Sequence, residues 1–470
     1  MVITSFLFFL ALFMGIGLAS AAAARRTKAD YYLASRSVGP MLSGLSAVAT
    51  NNSGYMFIGV IGYTYAVGLA SVWLMVGWIV GDFIASLIVH RRLRIATERT
   101  GEASFTAVIA SWTGTRMPVW RRIAAIVTVV FLGSYAAAQI AAGGKALEGV
   151  LGWDRQTGAW IVAAMVLSYS IAGGIRASIW TDVAQSIVMI VAMAVLVAAG
   201  FLALGGVGAT LAQWHTIPGF FDLTPPDLVL PGLPGLALFI IGWLFAGLSV
   251  IGQPHVMVRF MALDSPSSMA AARAWYYGFF TAFYALATAA GMLARVLIPQ
   301  LADLDPEMAL PTMAVHLLPP LLVGVILAGI FAATMSTADS LVLSCSAAIT
   351  HDLLPIQAEH PALLKLATAL VTAFALGIAL MGSGSVFDLV ILSWSTLAVA
   401  FGPLLLLLAF GRAVSQSRAI LMMIGGIAVA LLWRHLGLHN AVYEGLPGIV
   451  AGLLIGLAPS KQTKSVTSMK

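Results

Sequence analysis

Apolar runs of roughly 20 residues, the length a helix needs to cross about 30 Å of hydrocarbon, follow one another along almost the whole chain with short polar gaps between them. They predict thirteen membrane helices, near residues 2–22, 39–63, 70–90, 120–143, 157–173, 182–204, 233–252, 271–295, 317–343, 361–382, 386–410, 417–433 and 444–459. No gap between them accommodates a soluble domain, so the pattern reads as an all-α polytopic membrane protein. Two runs carry polar interruptions. The run 39–63 contains Thr50-Asn51-Asn52-Ser53-Gly54, and 233–252 runs into Ser249-Val250-Ile251-Gly252-Gln253-Pro254, a glycine followed by a proline that lacks an amide donor. Backbone groups freed by a broken helix are tolerated at membrane depth only where protein or a water-lined cavity satisfies them, so both interruptions predict a cavity. A plainer reading stays open at this point, in which Asn51, Asn52 and Ser53 merely bond neighbouring helices.

Composition agrees with the pattern. The 470 residues are 60% hydrophobic and 9% charged, against about 25% charged in a soluble domain. The small residues Ser20 to Ala24 after the first run resemble a signal-peptide cleavage site, but no Lys or Arg precedes that run, whereas Arg25, Arg26 and Lys28 follow it. A first span with its N-terminus outside fits better. Thirteen spans in that orientation leave only Lys145, Arg155, Arg295 and Arg434 of the 24 basic residues on outer segments, as the positive-inside rule requires. The C-terminus is then cytoplasmic, in a cell (inner or plasma) membrane. The net charge of +6 is spread over many loops facing anionic lipid, which points to the bilayer and not to nucleic acid. The single Cys345 excludes an internal disulfide. No catalytic constellation is evident, which predicts that the chain is not an enzyme: Gly144-Lys145 is followed by Ala146 where a phosphate loop needs Ser or Thr. His435 and His439 have the spacing of a helical metal pair, but no third ligand is near in sequence. Nothing evident points to an obligate protein partner.

With the first span (1–38) set aside, the next ten divide into two sets of five, residues 39–205 and 206–410. Residues 411–470 hold two further spans and a short tail. Five is odd, so the two sets enter the membrane in opposite directions, the inverted-repeat arrangement of many secondary transporters. The interrupted runs are then the first helices of the two repeats, core helices 1 and 6.

Several segments resemble the sodium/solute symporter family, which includes bacterial sodium/proline and sodium/sugar symporters. They are Asp30-Tyr31-Tyr32-Leu33-Ala34-Ser35-Arg36-Ser37-Val38-Gly39-Pro40, Ser53-Gly54, Arg91-Arg92-Leu93-Arg94, Gly173-Gly174-Ile175-Arg176-Ala177 with Trp180-Thr181-Asp182, Gly252-Gln253-Pro254-His255 with Arg259-Phe260-Met261-Ala262, and Met335-Ser336-Thr337-Ala338-Asp339-Ser340. The resemblance implies the five-plus-five fold, import of a small organic solute with co-transported sodium, and a sodium site between core helices 1 and 8. Its ligands would be the carbonyls of Ala49, Asn52 and Ala333 with the hydroxyls of Ser336 and Thr337. Sodium is a hard cation that prefers oxygen donors, and a broken helix end offers carbonyls. Ser336 and Thr337 also have a bland reading, back-bonding within their own helix.

Asp182 matches the family's acidic residue linked to sodium binding or release, although Asp182 and Gln185 also have capping-box spacing at a helix start. Asp339 and Ser340 extend this possible second cation site or release path. Asn51, Ser53, Gly54, Tyr135, Gln253, Pro254 and Trp394 would line the solute pocket, and other span aromatics, among them Trp73, Trp78 and Trp275, would join them. The chain departs from the proline branch in two ways. That branch's core-helix-6 aromatics fall on Ala246 and Val250, and its sodium-linked aspartate is Asn51. Asn51 and the membrane-level Asp82, Asp182 and Asp339 motivate an alternative of proton coupling or solute exchange, and a transporter-like sensor is a third. Asp82 has no evident partner in the sequence.

Overall fold

The computed structural model describes residues 1–22, 32–225, 228–303, 305–354, 361–382 and 385–459. Arg25, Arg26 and Lys28, the Asp30-Tyr31 start of the first motif, and Lys461, Lys464 and Lys470 lie outside these. In chain order the helices are α1 (Val2–Ala22), α2 (Pro40–Gly54), α3 (Ile61–Val67), α4 (Val72–Thr100), α5 (Phe105–Ala110), α6 (Pro118–Leu151), α7 (Arg155–Ala203), α8 (Val207–Thr216) and α9 (Gly232–Leu248). There follow α10 (Pro254–Met261), α11 (Met269–Leu297), α12 (Ala309–Leu317), α13 (Pro320–Ala347), α14 (Pro361–Met381), α15 (Val386–Ala409), α16 (Gln416–His435) and α17 (Gly445–Leu457). Among the described residues there is no strand, only an isolated bridge between Val38 and Leu263. Nine helical stretches among them are long and apolar enough to cross a membrane, and two shorter apolar helices accompany these. The chain is therefore a multi-pass, all-helical membrane protein.

The predicted runs fall on helices, but their edges differ where backbone chemistry decides. Pro40 starts α2 at a position where its missing amide costs nothing. That helix ends where Ser53 takes φ 31° and ψ 178°, and a π-helical turn, Tyr55–Val60, leads into α3. Gly68 (φ 72°) ends α3 and turns the chain into α4. A β-carbon on Gly68 would lie 2.1 Å from the Phe220 carbonyl oxygen, which already accepts from the Leu69 amide at 2.9 Å. Gly68→Ala combines a left-handed backbone with a clash against backbone, so we expect the variant to lose expression or thermal stability in detergent, read by fluorescence-detected size exclusion.

The second expected interruption is present as well: α9 passes through a short 3₁₀ turn, Ser249–Gly252, and restarts as α10 with Pro254 in its first turn. The runs 157–173 and 182–204 both lie on α7, as two helical arms separated at Gly174, whose φ 60° and ψ −169° are not helical. Asp182 thus lies two turns beyond Gly174 and does not cap a helix start. The true cap is Asp154, whose carboxylate accepts from the Gln156 and Thr157 amides at the head of α7.

Around this frame α13 and α15 are the most enclosed of the nine long apolar stretches. α1 lies on the outside against α7 and α13. Gly81 and Gly247 let α4 and α9 meet backbone to backbone, since a β-carbon at either would stand about 2 Å from a facing carbonyl oxygen. His435 ends α16 and His439 sits in a separate 3₁₀ turn, so the two do not share a helix face.

Candidate functional site

The broken segment of α2 and the middle of α13 are in contact. Ala49, Asn52, Ala333, Ser336 and Thr337 are all fully buried there. Thr337 Oγ1 donates to the Thr50 carbonyl at 2.9 Å, across a sequence separation of 287 residues. A hydroxyl that gives its proton away keeps lone pairs free for a cation. Ser336 stands beside Asp182, and neither Ser336 Oγ nor Asp182 Oδ1 makes a well-formed hydrogen bond, nor does either polar atom of the Asn52 side chain. The Asn52 carbonyl accepts from the Tyr55 amide past the break, which leaves it a second lone pair. Buried oxygens without partners are costly in an apolar interior, and a hard cation is the partner that this donor set suits.

Next to this pair lies an ionic cluster. Asp182 Oδ2 accepts from Ser46 Oγ at 2.6 Å and from Arg259 Nη2 at 3.3 Å, with Thr50 Oγ1 at 3.5 Å. Arg259 also donates to Ser178 Oγ at 2.9 Å, to the His255 carbonyl at 2.7 Å, and to Ser340 Oγ. Ser340 in turn stands 3.3 Å from Thr50 Oγ1. Asp182 and Arg259 are both shielded from solvent, so each is the condition for burying the other. The structure thus brings Asp182 and Ser340 together around a guanidinium that the expectations above left out. Asp339 lines a separate cavity shared with α1 and Ser178.

The expected solute residues surround the two interruptions. Ser53 Oγ accepts from the Tyr55 amide at 3.1 Å and from the Tyr135 hydroxyl at 3.2 Å. The Gly54 amide, freed by the break, donates to Gln139 Oε1 at 2.8 Å. Gln253 Nε2 donates to the carbonyls of Ser249 and Trp394, tying the α9–α10 interruption to α15. Trp394 Nε1 donates to the Ala246 carbonyl at 2.8 Å. The rings of Tyr55, Trp78, Trp394, His255 and Tyr135 follow one another around the breaks with centroids 5.3–6.4 Å apart. Asn51 donates to the Tyr276 hydroxyl, which donates to Asp82, so the aspartate without an evident partner has one. Trp275 is 48% exposed and lines nothing here, and Trp73 donates to the Leu223 carbonyl in an outlying loop.

Thr50, Gln139, Ser46, Ser178, Arg259 and His255 also stand around the site; Thr50, His255 and Arg259 lay in quoted segments but were given no role, and the other three were not singled out from the sequence. Gln139 had a signal, an amide within the small-residue run Ala136-Ala137-Ala138. The serines had none, because serine in a span most often bonds its own helix.

Gly54 shows how tight the assembly is. A β-carbon there would stand 2.7 Å from Thr334 Cγ2 and 2.8 Å from Ala142 Cβ, neither of which can swing aside. Overpacking of this kind costs about 1–3 kcal/mol. Gly54→Ala is expected to cut initial uptake at least about tenfold, and adding Thr334→Ser, which removes one of the clashing methyls, to recover part of it.

A cleft lined by Tyr32, Thr106 and Asp352 reaches Pro254, Arg259 and Ser340 from one end of the molecule. Arg121 Nε pairs with Asp352 at 2.7 Å on that side. Beside it, the hydrogen bond from His351 and then the charge of Arg121 hold the loop residue Glu102 below the usual carboxylate range, against the opposing effect of burial. At the other end Glu307 is a hub. Its carboxylate accepts from Lys145 Nζ at 2.6 Å, from Ser385 Oγ at 2.7 Å, and from the Val386 and Phe387 amides that begin α15. Burial works against ionisation of neighbouring Asp305, but Lys145 and then Arg155 hold its carboxyl below the ordinary range. Lys145, Arg155 and Arg434, three of the four basic residues expected on outer segments, therefore all meet acidic partners.

Comparison with known proteins adds independent findings. The model of the sodium:solute symporter family matches residues 31–426. Over 436 residues the chain is 32% identical to the high-affinity proline transporter of Bacillus subtilis (strain 168), covering 90% of each protein. It is 29% identical over 456 residues to a sodium/proline symporter of Staphylococcus aureus, covering 93% of this chain and 88% of that one. Among solved structures, a Na⁺-coupled sialic acid symporter in a substrate-bound outward-open state superimposes with a TM-score of 0.80 over 98% of both chains at 20% identity, a likeness of fold. A broken helix facing hydroxyls on a partner helix, together with a family match over most of the chain, leads to one conclusion: this protein belongs to the sodium:solute symporter family and imports a solute coupled to sodium.

Proposed function

We propose that the solute is a small amino acid, with proline the first candidate, and that the ion sits between α2 and α13 on the carbonyls of Ala49, Asn52 and Ala333 and the hydroxyls of Ser336 and Thr337. The observation that carries the ion site is the contact of Thr337 with Thr50 at the break, beside the unpartnered oxygens of Ser336 and Asp182. Proline is supported by the activity of the relatives at 32% and 29% identity and by Ser53, Gly54, Tyr135 and Pro254 around the breaks. Ala246 and Val250, which replace two aromatics of the proline branch, speak for a roomier pocket. Trp394 offsets part of this, because its indole is anchored on the Ala246 carbonyl.

The arrangement we propose around this site has thirteen spans, two inverted repeats (39–205 and 206–410), the N-terminus outside and the C-terminus cytoplasmic. A cation bridging α2 and α13 would hold together two bundles that rock against each other. Coupling of this kind is reciprocal, so solute tightens sodium by the factor by which sodium tightens solute. One charge moving down about 100 mV supplies about 2.3 kcal/mol, roughly fifty-fold accumulation before any sodium gradient is counted. Asp182, Ser340 and Arg259 would form the release path, since the cleft from Asp352 reaches Arg259 and Ser340 and Arg259 in turn holds Asp182.

Uptake of labelled proline into proteoliposomes, with and without an inward sodium gradient, tests this reading. Sodium-dependent proline uptake is the expected result. Sodium-dependent uptake of another solute class, found by a thermal-shift screen of amino acids, sugars, carboxylates and vitamins in sodium and in potassium, would overturn proline alone. Uptake driven equally by protons would favour the alternative coupling, which the tie between Asn51 and buried Asp82 motivates.

A further inference from the structure

Asp82 lies in the middle of α4, fully buried, and none of the ion or solute contacts above uses it. Both its oxygens are engaged by phenols of α11: Tyr276 Oη donates to Oδ2 at 2.7 Å and Tyr277 Oη to Oδ1 at 2.7 Å. Tyr276 is itself fully buried and stands 2.6 Å from Asn51 Nδ2, on the last turn of α2 before the break.

Hydrogen bonds have direction, and with Asp82 ionised this series allows only one. A carboxylate accepts and does not donate, so the single phenolic proton of Tyr276 is committed to Asp82. Tyr276 then has only lone pairs to offer Asn51, and the amide must turn its NH₂ to the ring. Its carbonyl oxygen is thereby excluded from Tyr276 and left to accept elsewhere. An amide has nearly the same shape either way round, so packing alone would not fix this choice.

We infer that Asp82 is a positioning residue: acting through Tyr276, it sets the orientation of the Asn51 amide so that Oδ1, and not the repelling NH₂, faces the ion-binding break. The inference deepens the sodium-symport reading and rests on it.

Asp82→Asn reverses the logic with almost no change of shape. The new amide can donate to Tyr276, whose proton then turns to Asn51 Oδ1, and Nδ2 swings toward the break. The half-saturating sodium concentration for uptake is expected to rise at least about fivefold. Asn51→Asp alone is also expected to be impaired, because two carboxylates compete for one phenolic proton. The exchange Asn51→Asp with Asp82→Asn satisfies every donor and acceptor with the direction inverted, and should return the sodium requirement to within about twofold of wild type. A role limited to packing would not give that rescue.

Sodium-dependent thermal shift of the purified proteins provides a second readout where uptake is weak. Tyr276→Phe provides a second variant if Asp82→Asn expresses poorly. It should raise the sodium requirement as Asp82→Asn does, and Asp82→Asn should add nothing further in that background. A sodium-dependent wild type with Asp82→Asn unchanged, or an exchange variant no better than Asp82→Asn, overturns this inference alone. A wild type indifferent to sodium overturns the symport reading and this inference with it.

Discussion

Ser336→Ala and Thr337→Ala should each raise the sodium concentration for half-maximal uptake by about tenfold, and the double variant by more, with expression retained. Each substitution deletes one hydroxyl oxygen from a site with few donors, and tenfold corresponds to about 1.4 kcal/mol of lost ion binding. Thr337→Ala also removes the bond to the Thr50 carbonyl, which contributes about 1 kcal/mol to holding α13 against α2. Ser336→Ala removes only a loose contact with Asp182, so its effect should appear in sodium affinity far more than in stability without sodium. Initial uptake rates across a sodium series, paired with melting curves in sodium and in potassium, separate the two contributions. Unaltered sodium dependence in both variants would reject the assignment of these hydroxyls.

The second large effect concerns Asp182 and Arg259. Each is buried and each has the other as its counter-charge. Removing one partner of a buried pair typically costs about 3–5 kcal/mol, because the remaining charge keeps its desolvation penalty without its compensation. Asp182→Ala and Arg259→Ala should therefore each lower thermal stability strongly. The double variant should lose clearly less than the two single losses added together. Melting curves of the four proteins in one detergent measure the coupling, and simple additivity would show that the pair is not energetically linked. Conservative Asp182→Asn should still cost most of the single-variant loss, since an amide can accept from Ser46 Oγ but cannot balance the guanidinium.

The helical architecture was legible from hydropathy because a bilayer-length apolar run has few other readings. The two interruptions were legible for a different reason: asparagines, glycine and proline are poor choices for a continuous span. Fine boundaries were not. The two arms of α7 part at Gly174 and not beside Asp182, and nothing in the local sequence marks which residue takes the non-helical turn, so Asp182 looked like a cap. The contact of Thr337 with the broken segment was anticipated through the family resemblance and not from its spacing. Arg259 stood in a quoted motif, yet its partners Ser178 and Asp182 come from a helix far away in sequence, and such convergence has no local signature. Asp82 illustrates the same limit, since its role depends on two tyrosines nearly 200 positions further along.

The Glu307 carboxylate has a consequence for the transport cycle. One side chain holds Lys145 of α6 and also the first amides of α15, while its backbone lies so close to Gly62 of α3 that a β-carbon there would stand 2.9 Å from it. All three contacts converge on Glu307, so parting α6, α15 and α3 at this end would have to undo them at one residue, and Glu307→Gln would weaken both of those that run through its carboxylate.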